Sequence, residues 1–217
     1  MRTTVAAVLA CAVAASVLLT ANASPQAPDL DARVEAFLDS RRGQWHDMNV
    51  PESDGRVLHD LIVKHGYRRA LEIGTSTGHS GIWIARALAK TGGKLITIDI
   101  DPERHRTALE NFRAAGVAEY IDARLGDAHE LVPKLPGPFD FVFSDADKEW
   151  YEQYLVDVWP KLQVGGCFTA HNVSGRRMAG IGAFLARLEA LPDARTTIDR
   201  SSSSGISITY KLDKAGG

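Results

Sequence analysis

The sequence predicts an α/β fold: a mostly parallel, seven-stranded sheet with helices on both faces and a terminal antiparallel hairpin. Three observations predict it. From residue 69 onward, short apolar runs alternate with segments of helical periodicity, the pattern of parallel strands joined by crossover helices. The first apolar run leaves through a glycine-punctuated turn, Glu72-Ile73-Gly74-Thr75-Ser76-Thr77-Gly78-His79-Ser80, directly into a helical pattern. The last two runs are joined by Ser201-Ser202-Ser203-Ser204 with no helix between them, so they pair antiparallel at the sheet's edge.

The elements follow in order. Asp29 is placed to cap a helix whose apolar positions are Leu30, Val34, Phe37 and Leu38. After an irregular aromatic stretch from Trp45 to Pro51, a second helix runs from about Asp54 to His65, with Gly66 at its C-cap. Strands are expected at Arg69–Ile73, Lys94–Ile100, Tyr120–Leu125, Phe139–Ser144 and Gly166–Ala170. Helices are expected at Ser80–Lys90, Pro102–Ala115, Ala128–Leu131, Lys148–Trp159 and Met178–Leu191. Pro102 suits a first helical turn and Gly116 a helix end. Arg195–Asp199 and Gly205–Leu212 form the closing hairpin.

Length and composition fit one domain with a full core: 217 residues, 45% hydrophobic and 24% charged. A net charge of -2 carries no nucleic-acid footprint. The N-terminus stands apart. Arg2 precedes a charge-free apolar run from Val5 to Leu19, and Ala21-Asn22-Ala23 offers a cleavage signal before Ser24. The run is short for a membrane span and lacks stop-transfer charges, so residues 1–23 read as an export signal, with a retained membrane anchor as the alternative. Residues 24–44 then form a linker and helix, and 45–217 the main domain. Loss of the leader removes Cys11 and leaves Cys167 alone, so no intrachain disulfide is possible. The apolar neighbours of Cys167 mark it as a buried structural thiol.

A strand, a tight turn and a helix N-terminus make a cradle for a small ligand. The spacing is E-x-G-x-x-x-G-x-S, and Ser76 stands where a dinucleotide fingerprint needs its second glycine. A ligand with an amino acid and a ribose, S-adenosylmethionine, suits the turn better than a pyrophosphate. Asp99 ends the second strand, where ligand sites in open parallel sheets collect, and either accepts ribose hydroxyls or acts as an ordinary turn acid.

These features and four motifs resemble the catechol and caffeoyl-CoA O-methyltransferase family, within the class I, Rossmann-like methyltransferases. The motifs are Met48-Asn49-Val50, Glu72 to Ser80, Ile96 to Pro102, and Asp145-Ala146-Asp147-Lys148, and the likeness covers about residues 45 to 212. It implies a cofactor site formed by Val50, Glu72, Gly74, Ser76, Gly78, Ser80, Asp99, Ile100, Asp127, Ala128 and Asp145. Ile100 would lie against adenine and Asp127 would accept from its amine, although Asp127 is equally a helix cap. Ser80 would meet the methionine carboxylate or cap its own helix. Lys148 matches the family's catalytic lysine, a general base beside the sulfonium, or is a solvated lysine at a helix start. In the family an acid matching Asp145 and an amide matching Asn172 ligate Mg²⁺, which chelates two vicinal hydroxyls of the acceptor.

His171 departs from the pattern, because the resembled enzymes carry aspartate there. Three readings follow: a metal tolerant of nitrogen (Mn²⁺, Fe²⁺ or Zn²⁺ in place of Mg²⁺), a metal-free enzyme with His171 as base, or a polar core histidine. The hairpin loop also lacks the acid that orients a hydroxyl in the catechol enzymes, with Asp199 as a loose substitute. Trp45, His46, Trp150 and Tyr151 either wall an aromatic acceptor or pack structurally. The expected activity is methyl transfer to a hydroxyl of a small aromatic acceptor, and the resemblance is compatible with a homodimer. The alternatives are a nicotinamide-dependent oxidoreductase and a non-catalytic binding protein of the cell envelope.

Overall fold

A computed structural model describes residues 29–175 and 179–213. The export signal read at residues 1–23 and the expected helix start at Met178 lie outside the described residues. Among them, no helix is long and apolar enough to cross a membrane.

Two helices, α1 (Leu30–Ser40) and α2 (Glu52–His65), precede a sheet of β1 (Arg69–Ile73), β2 (Lys94–Asp99), β3 (Ile121–Leu125), β4 (Phe139–Ser144), β5 (Leu162–His171), β6 (Ala194–Asp199) and β7 (Ile206–Lys211). The crossovers carry α3 (His79–Thr91), α4 (Pro102–Ala115), α5 (Ala128–Lys134), α6 (Tyr151–Val158) and α7 (Ile181–Glu189). The strand order is β3-β2-β1-β4-β5-β7-β6. Only β7 runs against its neighbours, pairing antiparallel with both β5 and β6. The hairpin is therefore more than an edge addition, because α7 carries the chain out to β6 and the serine loop returns β7 into the gap.

Local chemistry explains the boundaries. Asp29 caps α1 by accepting from Ala32 N at 2.8 Å, and Asp101 caps α4 with Pro102 in the first turn. Gly66 and Gly116 close α2 and α4 in left-handed conformations. The expected helix Lys148–Trp159 is tightened at both ends, into 3₁₀ turns at Lys148–Trp150 and Trp159–Lys161, and Pro160 accounts for the second. β5 begins earlier than its apolar run, with a register irregularity against β4 ahead of Phe141.

Alternation along β4 divides the core. Val142 faces a cluster with Tyr151, Phe168 and Phe184, while Phe141 and Phe143 face Leu58, Ile62 and Leu88 on the other side. Cys167 is buried in the second cluster, and burial pushes its thiol well up, as befits a structural residue. α1 belongs to the same body. Val34 and Leu38 pack on Ile82, Trp83 and Phe112, and Asp31 and Glu35 hold Arg86. The boundary read at residue 45 divides the chain in sequence but not in packing.

Candidate active site

β1 and β4 are neighbours whose connections depart in opposite directions, β1 toward β2 and β4 toward β5. A crevice opens at the carboxyl ends of such a pair. Here it is a cleft of about 840 Å³. Its floor is two turns pressed together. Gly74 has φ 97°, and a Cβ on it would stand 2.9 Å from the backbone of Asp145 and Ala146. Only glycine fits that contact. Among the described residues, the non-glycine positions with positive φ are Asp47, Met48, Ser76 and Asn172, and the last three line the cleft. Backbone strain gathered at one place is a mark of a working site.

At one end, Asp99 accepts from Ser76 N at 2.7 Å on Oδ2 and from Asp101 N at 2.9 Å on Oδ1. Each carboxylate oxygen keeps a further lone pair, so Asp99 has room for two more donors. Beneath it Glu72 is fully buried. Its Oε2 accepts from Thr97 Oγ1 at 2.6 Å, while Oε1 has no hydrogen-bond partner among the described residues. Burial pushes the Glu72 carboxyl up, and the charges of Asp145 and Asp99 add to this. Hydrogen bonds from Ser80 and Thr97 oppose it, and the pKa settles at about 8.

The segment 45–51 crosses the mouth of this end. Ser76 Oγ donates to Asp47 O at 2.5 Å, and Asn49 Nδ2 donates to Thr77 Oγ1 at 2.7 Å. Arg104 grips the Asp47 carboxylate through Nε at 2.9 Å and Nη2 at 2.7 Å. His79 anchors the segment from below: Trp83 Nε1 donates to its Nε2 at 3.2 Å, so Nδ1 carries the proton given to Val50 O at 2.8 Å. Burial keeps this imidazole neutral by lowering its pKa. Met48 (70% exposed) and Ile100 (66% exposed) form apolar lips.

The other end is a chain of charged side chains. Lys148 Nζ donates to Asp145 Oδ1 at 2.7 Å and to Ala146 O at 3.1 Å. Asp145 Oδ2 lies 3.1 Å from His171 Nδ1, and His171 Nε2 lies 2.7 Å from Asp54 Oδ2. Ser202 Oγ completes the chain by donating to the same Asp54 oxygen at 2.8 Å. Burial alone would lower the His171 pKa, but hydrogen bonds and charge from Asp145 and Asp54 override it and raise it to about 9. Burial also opposes the ionised Asp54, and contacts with His171 and Ser202 hold its pKa below the usual range.

A family model described as O-methyltransferase matches residues 29–176. The chain belongs to the O-methyltransferase family. It is 36% identical over 185 residues to a catechol O-methyltransferase of Mycobacterium tuberculosis, covering 79% of this chain and 83% of that protein. It is also 36% identical over 130 residues to a catechol O-methyltransferase of Niastella koreensis, with only 58% of each chain covered. An O-methyltransferase of Bacillus cereus solved in complex with SAH superposes with a TM-score of 0.73 at 25% identity, over 86% of this chain and 93% of that one.

Against this O-methyltransferase frame, most of the expected residues converge on the cleft. Gly74, Ser76, Ser80, Asp99, Ile100, Asp127, Ala128, Asp145, Lys148, His171 and Asn172 all line it. Asp127 also caps α5 by accepting from His129 N at 2.9 Å, so the cap and the cleft position coexist. Three expected residues do not line it. Val50 is buried in the core with its carbonyl taken by His79, Glu72 lies one layer below, and Gly78 lies against Phe112, 2.6 Å from where its Cβ would be. Ser80 is not the cap of its helix, because α3 starts at His79 with Gly78 as N-cap. None of Trp45, His46, Trp150 and Tyr151 lines the cleft. Trp45 stacks on His79 at 4.5 Å, and Trp150 stacks at 3.6 Å on His129, which does line it. Asp199 turns to its own loop, accepting from Ser201 N.

Sequence reasoning missed Asp54, Arg104, His129 and Ser202. For Asp54 a signal existed. It precedes Leu58 by four residues and Ile62 by eight, so it shares the stripe of α2 that faces the core. A carboxylate on an apolar stripe demands a partner.

Proposed function

We propose that this chain transfers a methyl group from S-adenosylmethionine to a hydroxyl of a small aromatic acceptor. The observation that carries the reading is Asp99, a nearly buried carboxylate at the strand end, with a lone pair free on each oxygen for the two ribose hydroxyls. The Gly74 turn, Ile100, Met48 and Asp127 line the same cleft, which supports the methionine end lying over Gly74, adenine lying against Ile100 and Met48, and Asp127 accepting from its amine. Asp145 and Lys148 close the opposite end, where the acceptor hydroxyl would sit.

The reaction is an in-line displacement. A lone pair of the acceptor oxygen forms the new O–C bond while the C–S bond breaks and its electron pair returns to sulfur, leaving a neutral thioether. Lys148 takes the hydroxyl proton as general base, and Asp145 Oδ1 and Ala146 O accept hydrogen bonds from the ammonium that results. The cleft contributes alignment of the two atoms and exclusion of water. A nicotinamide cofactor is disfavoured, because Ser76 occupies the close-approach position and gives its N–H to Asp99. The apolar leader supports export to the periplasm or beyond, with anchoring by an uncleaved leader as the alternative.

Calorimetric titration with S-adenosylmethionine tests the reading. Wild type is expected to bind one equivalent. Asp99→Ala should lose about 1.5–3 kcal/mol, the worth of hydrogen bonds to a charged group, or roughly tenfold to hundredfold in affinity. Absence of binding to wild type, or equal binding by both proteins, would defeat it.

A further inference from the structure

We propose that His171 replaces the divalent ion implied by the family resemblance, joining Asp145 to Asp54 in a metal-free site that holds its acceptor without chelation. The inference rests on the methyltransferase reading and concerns the acceptor end of the same cleft.

A metal there would fall to Asp145, His171 and Asn172, and their donor atoms do not fit it. Both oxygens of Asp145 are engaged, Oδ1 by Lys148 at 2.7 Å and Oδ2 by His171 at 3.1 Å. Both nitrogens of His171 face carboxylate oxygens. An ionised carboxylate only accepts, so each ring nitrogen must donate, and an imidazole with two N–H groups has no lone pair for a metal. Turning the ring to free one would leave Asp54 without its cation. The Asp54 side chain is 1% exposed and that of His171 is 5% exposed, so the vacated charge would be stranded in the core.

Asp54 makes the substitution coherent. An aspartate at position 171 would place three carboxylates together, a set that calls for a cation from outside. With His171 between them, two carboxylates and two basic side chains alternate from Asp54 through His171 and Asp145 to Lys148. Ser202 ties this chain to the β6–β7 loop, and Tyr151 Oη donates to the His171 carbonyl at 3.3 Å. The clamp thus draws together α2, the strand ends of β4 and β5, and the hairpin loop. Chelation of two vicinal hydroxyls has no counterpart in it, so an aromatic acceptor with a single hydroxyl meets every requirement that the site makes.

Electron paramagnetic resonance of free Mn²⁺ reads the clamp directly, because Mn²⁺ accepts both nitrogen and oxygen ligands. The full chain is titrated with Mn²⁺ with and without saturating SAH, and SAH binding is measured on the same sample by calorimetry. Wild type is expected to leave the free Mn²⁺ signal as it is in buffer. His171→Asp, which restores an oxygen donor, should sequester Mn²⁺ at least about tenfold more tightly. Binding of one Mn²⁺ per wild-type chain, abolished by Asn172→Ala, would overturn the proposal. Should His171→Asp not fold, the wild-type titration alone decides: silence supports the clamp and stoichiometric binding refutes it. Loss of SAH binding would strike at the methyltransferase reading, while the Mn²⁺ result would still report on the clamp.

Discussion

At the Asp99 end of the cleft, a carboxylate takes one backbone N–H on each oxygen and keeps a lone pair on each for a ligand. At the Asp145 end, both oxygens of the equivalent strand-end carboxylate are occupied by side chains, one of them from a histidine that is itself held on its far side. The two carboxylates sit at matching places on neighbouring halves of one sheet, yet one is prepared for an outside partner and the other has found its partners within the chain. The lesson is that a strand-end acid does not by itself define a ligand site. What its oxygens already hold decides whether it binds a ligand or braces the fold.

That contrast yields opposite expectations for the two ends. His171→Ala should lower the unfolding free energy by about 3–5 kcal/mol, because it strands the buried Asp54 charge. Urea denaturation at pH 7 measures the loss. Asp99→Ala, facing an open cleft, should show its main effect in cofactor affinity instead. Equal losses of stability in the two variants would erase the distinction.

Glu72, under the floor between the two ends, provides a pH-dependent test. Its folded pKa, about 8, lies above its ordinary value of 4.5, so the folded chain holds a proton that the unfolded chain releases. The stabilisation is complete below pH 4.5 and is lost as pH rises through 8. Within that window the slope approaches about 1.4 kcal/mol per pH unit. Glu72→Gln removes the ionisation and should flatten this part of the profile, making the variant the more stable protein at pH 9. Parallel profiles for the two proteins in cofactor-free buffer would show that Glu72 is ionised despite its burial.

Much of this was legible in the chain. The strand–helix alternation placed every strand, and the Gly74 turn, Asp99, Asp145 and Lys148 all reached the cleft, because each sits at or shortly beyond the end of a strand whose apolar run is unmistakable. What escaped were contacts between distant segments. Asp54 meets His171 across 117 positions and Ser202 meets Asp54 across 148, distances over which periodicity carries no information. The insertion of β7 between β5 and β6 was hidden for the same reason, since a hairpin's own pairing does not say which strand joins the sheet. The aromatic candidates failed differently. Trp45 and Trp150 stack on histidines beside the cleft, and the sequence does not distinguish a ring that lines a pocket from one that supports its wall.

The smallest expected effect belongs to the clasp over the cofactor end. Arg104 and Asp47 form a two-point ion pair, with 28% and 46% of their side chains exposed, so water and salt weaken it. Arg104→Ala should therefore change the unfolding free energy by less than about 1 kcal/mol. Its effect should appear in kinetics, because the pair holds the segment 45–51 across the mouth while Asp47 and Met48 adopt left-handed backbone conformations that favour release. SAH should leave the variant faster than wild type at low salt. Raising the salt should bring wild type toward the variant, since screening loosens the same pair. Stopped-flow dissociation at two ionic strengths separates the possibilities. Identical rates for both proteins at both salts would mean that the uncharged bonds from Ser76 to Asp47 and from Asn49 to Thr77 hold the segment closed without the clasp.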